Sequence, residues 1–103
     1  MGTGGPVPGQ HQDVVVRVRT VEIDRATVEA FESEIELPDE PCRLVVDLHD
    51  VTFIDSSGVR ALIVAHHRAN EVGSSLVVCN LGASIQRVLD VLGARELLEG
   101  APR

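Results

Sequence analysis

Several residue types are missing or scarce in this chain, and each shortage excludes a class of function. The 103 residues include no lysine, tryptophan or tyrosine, and only two phenylalanines and two cysteines. Without lysine, the chain cannot build the phosphate-binding loop of nucleotide hydrolases or form a Schiff base with a carbonyl substrate. So few aromatic rings leave little means of stacking on bases or ring-bearing cofactors. Two cysteines are also too few for the disulfide framework of a small secreted domain.

Positive charge and long apolar segments are scarce as well. Nine arginines stand against sixteen acidic residues, which gives a net charge of −7. Nucleic acids and anionic membrane surfaces attract clustered positive charge, so we expect neither as a partner. No apolar run approaches the ~20 residues of a membrane-spanning helix. The N-terminus lacks the basic and apolar blocks of a secretory signal, so we expect a cytoplasmic protein.

The remaining sequence is sufficient for one α/β domain. Residues 1–12 are rich in glycine and proline and predict a flexible tail, which places the domain over residues 13–100. Within it, short apolar runs typical of strands alternate with segments of helical periodicity: strands at Val14–Arg19, Leu44–Leu48 and Leu76–Cys79, and helices over about residues 25–36, 57–72 and 84–92. This order predicts a mixed but mostly parallel sheet of about four strands with helices packed against it.

Local signals predict how these elements begin and what they bury. Asp24 is expected to cap the first helix and Ser84 the last. The nearly continuous apolar run Leu44–Leu48 is typical of a strand that is covered on both faces. Val72 and Leu92 extend the apolar stripes of the second and third helices, so both are expected to be buried.

Negative charge is concentrated in one stretch. Residues 22–40 hold eight acidic side chains and one arginine, a net charge of −7, whereas acidic and basic residues cancel in the rest of the chain. Such a stretch is either a solvated helix face or a docking surface for a basic partner. The sequence leaves both interpretations open.

The sequence Asp55-Ser56-Ser57-Gly58 marks a junction between a strand and a helix, and Asp24 falls at another. In parallel α/β sheets, binding sites form where the carboxyl ends of strands meet the N-termini of helices. A serine at such a junction either caps the helix or offers its hydroxyl for phosphorylation, because a helix N-terminus can accommodate a phosphate. Two consecutive serines allow one residue for each role.

Several segments resemble STAS domains, in particular the bacterial anti-sigma factor antagonists. The central match is Leu44–Leu48 followed by Val51–Val59, which contains the Asp-Ser-Ser-Gly sequence. Three further segments are similar to the family's turn before the first helix, its second helix end with the following strand, and its third helix: Val21–Asp24, Asn70–Asn80 and Ser84–Gly93. The resemblance covers about residues 14–98, with Val21 standing where the family has glycine.

The resemblance implies a regulatory switch in transcription, with no enzymatic activity and no cofactor. In the family, the hydroxyl residue after the aspartate is phosphorylated by the anti-sigma factor, an ATP-dependent serine kinase. Ser56 is then the acceptor, with Ser57 as the alternative, and the partner-binding surface comprises Asp24, Asp55, Ser56, Ser57 and Gly58. The unphosphorylated protein binds the anti-sigma factor and frees the sigma factor. Phosphorylation ends that complex, and a metal-dependent serine/threonine phosphatase restores it.

Other functions have weaker support. STAS domains also serve as transporter tails and signalling scaffolds, so the alternative is a scaffold or nucleotide-responsive binding module that is never phosphorylated. A metal site at His66-His67 is disfavoured, because adjacent helical side chains point about 100° apart. A hydrolase is disfavoured because the chain has no Gly-x-Ser-x-Gly elbow. Cys42 and Cys79 are predicted to remain reduced, since aligned parallel strands would hold them ~16 Å apart.

Overall fold

The computed structural model describes residues 12–99, so the predicted tail lies almost entirely outside the described residues. Strands and helices follow one another in this order: β1 Asp13–Arg17, β2 Glu22–Ile23, α1 Val28–Glu34, β3 Arg43–Asp47, β4 Phe53–Ile54, α2 Ser56–Glu71, β5 Ser75–Cys79, α3 Ala83–Val91 and α4 Arg95–Glu99. The main sheet has the order β1-β3-β5, and β2 pairs with β4 in a second, two-residue sheet. Every strand pair in this part of the chain is parallel. The predicted α/β architecture is confirmed, with two sheets instead of one mixed sheet.

Within residues 12–99, helices cover the main sheet on one face only. Leu44 and Leu76 lie in register on the covered face, and both are fully buried. On the other face Val15, Val45 and Val77 lie in register; Val45 is half-buried and Val15 is 63% exposed. The prediction that Leu44–Leu48 is covered on both faces is therefore wrong. Neighbouring strands, rather than a second layer of helices, shield Val45 among the residues described.

One hydrophobic core holds all of the helices against the sheets. Phe31 from α1, Leu62 from α2, Leu89 from α3 and Leu98 from α4 are all fully buried in the same cluster. Burial of each such side chain contributes about 1.5–3 kcal/mol to folding. The helix N-termini are consequently fixed relative to the strand ends that precede them.

The first helix begins later than predicted. α1 starts at Val28, and the preceding residues form a turn. In that turn Oδ1 of Asp24 accepts hydrogen bonds from the N–H groups of Ala26 and Thr27, at 2.9 and 3.1 Å. Asp24 therefore stabilises the turn before α1 and does not cap the helix itself.

The ends of α2 and α3 also correct the predicted burial. Val72 and Leu92 are 60% and 47% exposed, although both were predicted to be buried. Each is the C-cap residue of its helix, and each precedes a glycine with positive φ, Gly73 at 80° and Gly93 at 70°. The chain has already left the helical path at these residues, so their side chains no longer follow the apolar stripe. Each helix thus ends just before its glycine, whereas the N-cap of α3 is Gly82 and not Ser84.

Candidate functional site

The two-stranded sheet brings two aspartates to the same end of the molecule. Ile23 of β2 pairs with Ile54 of β4, and the Asp55 N–H donates to the carbonyl of Ile23 at 3.0 Å. Asp24 and Asp55 directly follow these paired residues. Because the two strands are parallel, the turn before α1 and the start of α2 leave from one edge. The structure thus places Asp24 beside the Asp-Ser-Ser-Gly segment.

Asp55, and not a serine, caps α2. Its backbone is extended, with φ −109° and ψ −172°, and its Oδ1 accepts hydrogen bonds from the N–H groups of Ser57 at 2.9 Å and Gly58 at 3.3 Å. Capping by a serine, one of the two roles considered from the sequence, is therefore not observed. An N-cap of this kind stabilises a protein by about 1 kcal/mol. Neither serine hydroxyl is needed for it.

The two serines differ in accessibility. Ser56 is exposed, whereas Ser57 is half-buried. Within residues 12–99, neither hydroxyl forms a hydrogen bond to another side chain or to the backbone. Ser56 is also the first residue of α2, where the helix dipole favours a negative group. A phosphate at this position can be accommodated without removing a bond on which the fold depends.

Gly58 holds the first turn of α2 against the small sheet. The residue is buried, and a Cβ added there would lie 2.5 Å from Cγ1 of Ile54 and 2.6 Å from Cγ2 of Ile23. These separations are far below van der Waals contact, so only glycine lets the helix approach so closely. Gly58 therefore positions Ser56 and presents no side chain of its own.

Two exposed apolar side chains flank the junction, and neither is among the site residues expected from the sequence. Phe53 is 47% exposed and Val21 is 50% exposed, and the Thr52 N–H donates to the carbonyl of Val21 at 2.8 Å. Phe53 alternates with the buried Ile54 along β4. Since the chain has only two aromatic residues, an aromatic ring two residues before Asp55 was the signal available. Exposed aromatic side chains are enriched where proteins bind one another.

A second polar group lies at the carboxyl end of the main sheet. Oδ1 of Asp47 accepts hydrogen bonds from the His49 N–H at 2.9 Å and from Nδ2 of Asn80 at 3.1 Å. The bond from His49 is the main reason why the pKa of Asp47 lies below its usual value. Arg17 donates two hydrogen bonds to the Asp50 carboxylate, which lowers the pKa of Asp50. These groups bind one another at the end of the sheet, although both hydrogen bonds to Asp47 go to Oδ1 and its Oδ2 accepts none among residues 12–99.

The other candidates from the sequence are histidine and cysteine residues, and their surroundings are typical of residues with a structural role. Nδ1 of His66 lies 3.2 Å from the carbonyl of Leu76, and its Nε2 lies 3.3 Å from the Asn70 amide. Both cysteines are free, and burial raises the pKa of the Cys79 thiol. Among residues 12–99, no three histidine, cysteine, aspartate or glutamate side chains come together as a metal site. None of the helices in this range has the length and apolar character needed to span a membrane.

Comparisons with known proteins place these features in a family. The family model for the STAS domain matches residues 6–102. The chain is 23% identical over 91 residues to the anti-sigma F factor antagonist of Paenibacillus polymyxa, across 85% of this chain and 78% of that protein. Its fold is similar to part of the murine Solute Carrier 26 family member A9 anion transporter in the inward-facing state, with a TM-score of 0.67 and 18% identity. That match covers 88% of this chain and 15% of the transporter, so it concerns the fold alone.

Proposed function

The chain belongs to the STAS domain family, and on that premise we propose that it is an anti-sigma factor antagonist switched by phosphorylation of Ser56. The relative from Paenibacillus polymyxa, which is named as an anti-sigma F factor antagonist, supports this function. In its unphosphorylated form the protein binds an anti-sigma factor in the cytoplasm, and this binding regulates transcription. The protein acts by binding and catalyses no reaction.

One observation carries the assignment of the switch to Ser56. Asp55 caps α2 with its own carboxylate, so the exposed Ser56 hydroxyl is free to be modified at the start of the helix. Ser57 is half-buried and one position further into the helix, which makes it the less accessible acceptor. A kinase must reach the hydroxyl oxygen, and accessibility therefore favours Ser56.

The charge that phosphorylation adds explains how binding would be lost. A phosphoserine carries about −1.5 to −2 charges at neutral pH. At position 56 it would follow Asp55 directly and share its edge of the small sheet with Asp24. The dipole of α2 offsets this charge inside the domain, whereas a partner packed over Ser56 and Phe53 would meet a strongly hydrated dianion. Phosphorylation is thus expected to separate the complex and to preserve the fold.

The partners follow from this scheme. The anti-sigma factor is proposed to be the serine kinase that phosphorylates Ser56, and a serine/threonine phosphatase is proposed to reverse the modification. Asp24, Asp55, Ser56 and Ser57, with Gly58 beneath them, form the surface that the kinase would contact. Neither nucleic acid nor a membrane is required.

Intact-mass spectrometry with purified anti-sigma factor kinases of the same organism and ATP tests the assignment. We expect one added phosphate on the wild-type protein and on Ser57→Ala, and none on Ser56→Ala. Isothermal titration should show that Ser56→Asp binds the kinase at least about tenfold more weakly than Ser56→Ala. Phosphorylation of Ser57 alone would move the switch by one residue. Absence of phosphate with every kinase would overturn the switch and favour a STAS scaffold.

A further inference from the structure

A groove runs between α1 and α2, away from the Asp-Ser-Ser-Gly segment. Its volume is about 720 Å³, and its floor is apolar, since the lining residues that are buried are Ile35 and Ala61. Ala61, Val64 and Ala65 line it from α2, and Ile35 closes it from the end of α1. The α2 residues recur three or four positions apart, so they form one stripe along that helix. Val64 is 40% exposed, which leaves an apolar side chain in contact with water.

The rim of this groove, which we name the α1–α2 groove, is strongly acidic. Glu29 and Glu32 line it from α1 and Glu36 from the segment that follows α1, and Arg68 is the one basic residue among the lining side chains. All three glutamates are exposed, and within residues 12–99 none of them lies within 4.0 Å of a basic group. They belong to the stretch 22–40, whose net charge is −7. The groove therefore combines an apolar floor with unneutralised negative charge.

We infer that the α1–α2 groove binds a basic amphipathic helix of the anti-sigma factor, as a second contact in addition to the one at Ser56. This inference rests on the proposed function. The lining residues of α2 span residues 61–68, two turns or about 10 Å, and face residues 29–33 of α1 and the segment that follows it, which suits a helix laid along this groove. Ala61 and Ala65 permit close approach, Val64 supplies an apolar anchor, and arginine or lysine of the bound helix would face the three glutamates. Ala61 lies five residues after Ser56, about 7.5 Å along α2, so one partner can span both contacts.

Charge also distinguishes this occupant from the other candidates. A second copy of the chain would bring another net charge of −7 toward an acidic rim. The N-terminal residues 1–11 contain no lysine or arginine, so they offer no basic face to the groove. Nucleic acids and anionic lipids are repelled by the same carboxylates. A basic segment from another protein is the occupant whose charge complements this surface.

A synthetic amphipathic helix of about 14 residues, with arginine on one face and leucine and alanine on the other, is a suitable probe. Titrated into the 15N-labelled protein, it should shift the amide resonances of residues 29–37 and 61–68 most strongly. A peptide of the same composition in scrambled order should bind several-fold more weakly. Equal binding of the two peptides would show that only net charge matters, and would overturn the inference.

Two groove variants and a matched control make the test sharper. Glu29→Arg/Glu32→Arg should weaken peptide binding roughly five- to tenfold, whereas Glu71→Arg/Glu96→Arg, with the same change in net charge, should have a much smaller effect. Val64→Glu adds a negative charge. If only overall charge attracted the basic peptide, this variant would bind it more tightly. If the peptide occupies the groove, the variant should bind it more weakly. Equal loss in both double variants, or tighter binding by Val64→Glu, would overturn the inference. The inference would also be overturned if light scattering showed that the wild-type protein is a dimer and that Val64→Glu dissociates it, because a second copy of the chain would then occupy the groove.

The groove and the phosphorylation switch can fail separately. Phosphorylation of Ser56 by a kinase together with no peptide binding would remove the groove and keep the proposed function. Peptide binding with the expected variant pattern but no phosphorylation would remove the switch, and would leave the groove as a docking site of a scaffold. One measurement tests the groove and the switch together. In Glu29→Arg/Glu32→Arg the affinity for the kinase should fall about fivefold, while Ser56 is still phosphorylated.

Discussion

The two sheets each end in an aspartate, and the two aspartates are used differently. At the last position of β3, Asp47 accepts hydrogen bonds from the His49 backbone and the Asn80 side chain, so its carboxylate connects two loops. After β4, Asp55 accepts from the first N–H groups of α2, and the hydroxyl of Ser56 has no partner among residues 12–99. At the first junction the aspartate is held by other polar groups of the domain. The second secures a helix while leaving a modifiable oxygen accessible, which is the property that a switch requires.

The largest expected effect is at Gly58, on which the second junction depends. Gly58→Ala should reduce the free energy of unfolding by about 2–3 kcal/mol, because the new Cβ overpacks against Ile23 and Ile54. Gly82→Ala is the matched control, since a Cβ there meets nothing within 4 Å, and it should cost less than about 1 kcal/mol. Urea unfolding measures both. Equal effects in the two variants would mean that α2 is not held by this close contact.

The two aspartates themselves give the next largest difference. Asp55→Ala removes the N-cap of α2 and should cost about 1–2 kcal/mol, whereas Asp55→Asn retains an acceptor and should cost less. Asp47→Ala removes hydrogen bonds between exposed loops and should cost about 0.5 kcal/mol. Thermal and urea unfolding of the three variants test this order. A larger loss for Asp47→Ala would reverse the structural roles assigned to the two junctions.

Sequence patterns predicted the parallel α/β order and placed the Asp-Ser-Ser-Gly segment at a strand-to-helix junction, because both depend on local periodicity and turn residues. They did not identify which residue caps α2. Aspartate and serine are comparable N-caps, and the choice depends on where β4 ends. β4 and β2 have two residues each, too few to show an alternating pattern. The sequence also could not show that helices pack on one face of the main sheet, because a central strand is apolar whether one face or both faces are covered.

Acid should weaken the first junction in a defined direction. The hydrogen bond from the His49 N–H lowers the pKa of Asp47 in the folded protein. Its stabilising contribution is therefore present above the unfolded-state pKa of about 3.9, and is lost as the pH falls through the lower folded-state pKa. The free energy of unfolding should decrease between about pH 5 and pH 2, less steeply in Asp47→Asn than in the wild type. An identical slope in both proteins would show that Asp47 gains nothing from its partners on folding.

The smallest expected change in stability is at the proposed switch itself. Ser56→Asp should alter the free energy of unfolding by less than about 0.5 kcal/mol, because the hydroxyl has no bond to lose and the α2 dipole favours a negative group there. Ser57→Asp provides the control: its side chain is half-buried, so a charge should cost more. Urea unfolding of both variants, beside kinase affinity, separates binding from folding. If Ser56→Asp unfolds the domain, loss of partner binding on phosphorylation would reflect collapse of the junction rather than charge presented by an intact surface.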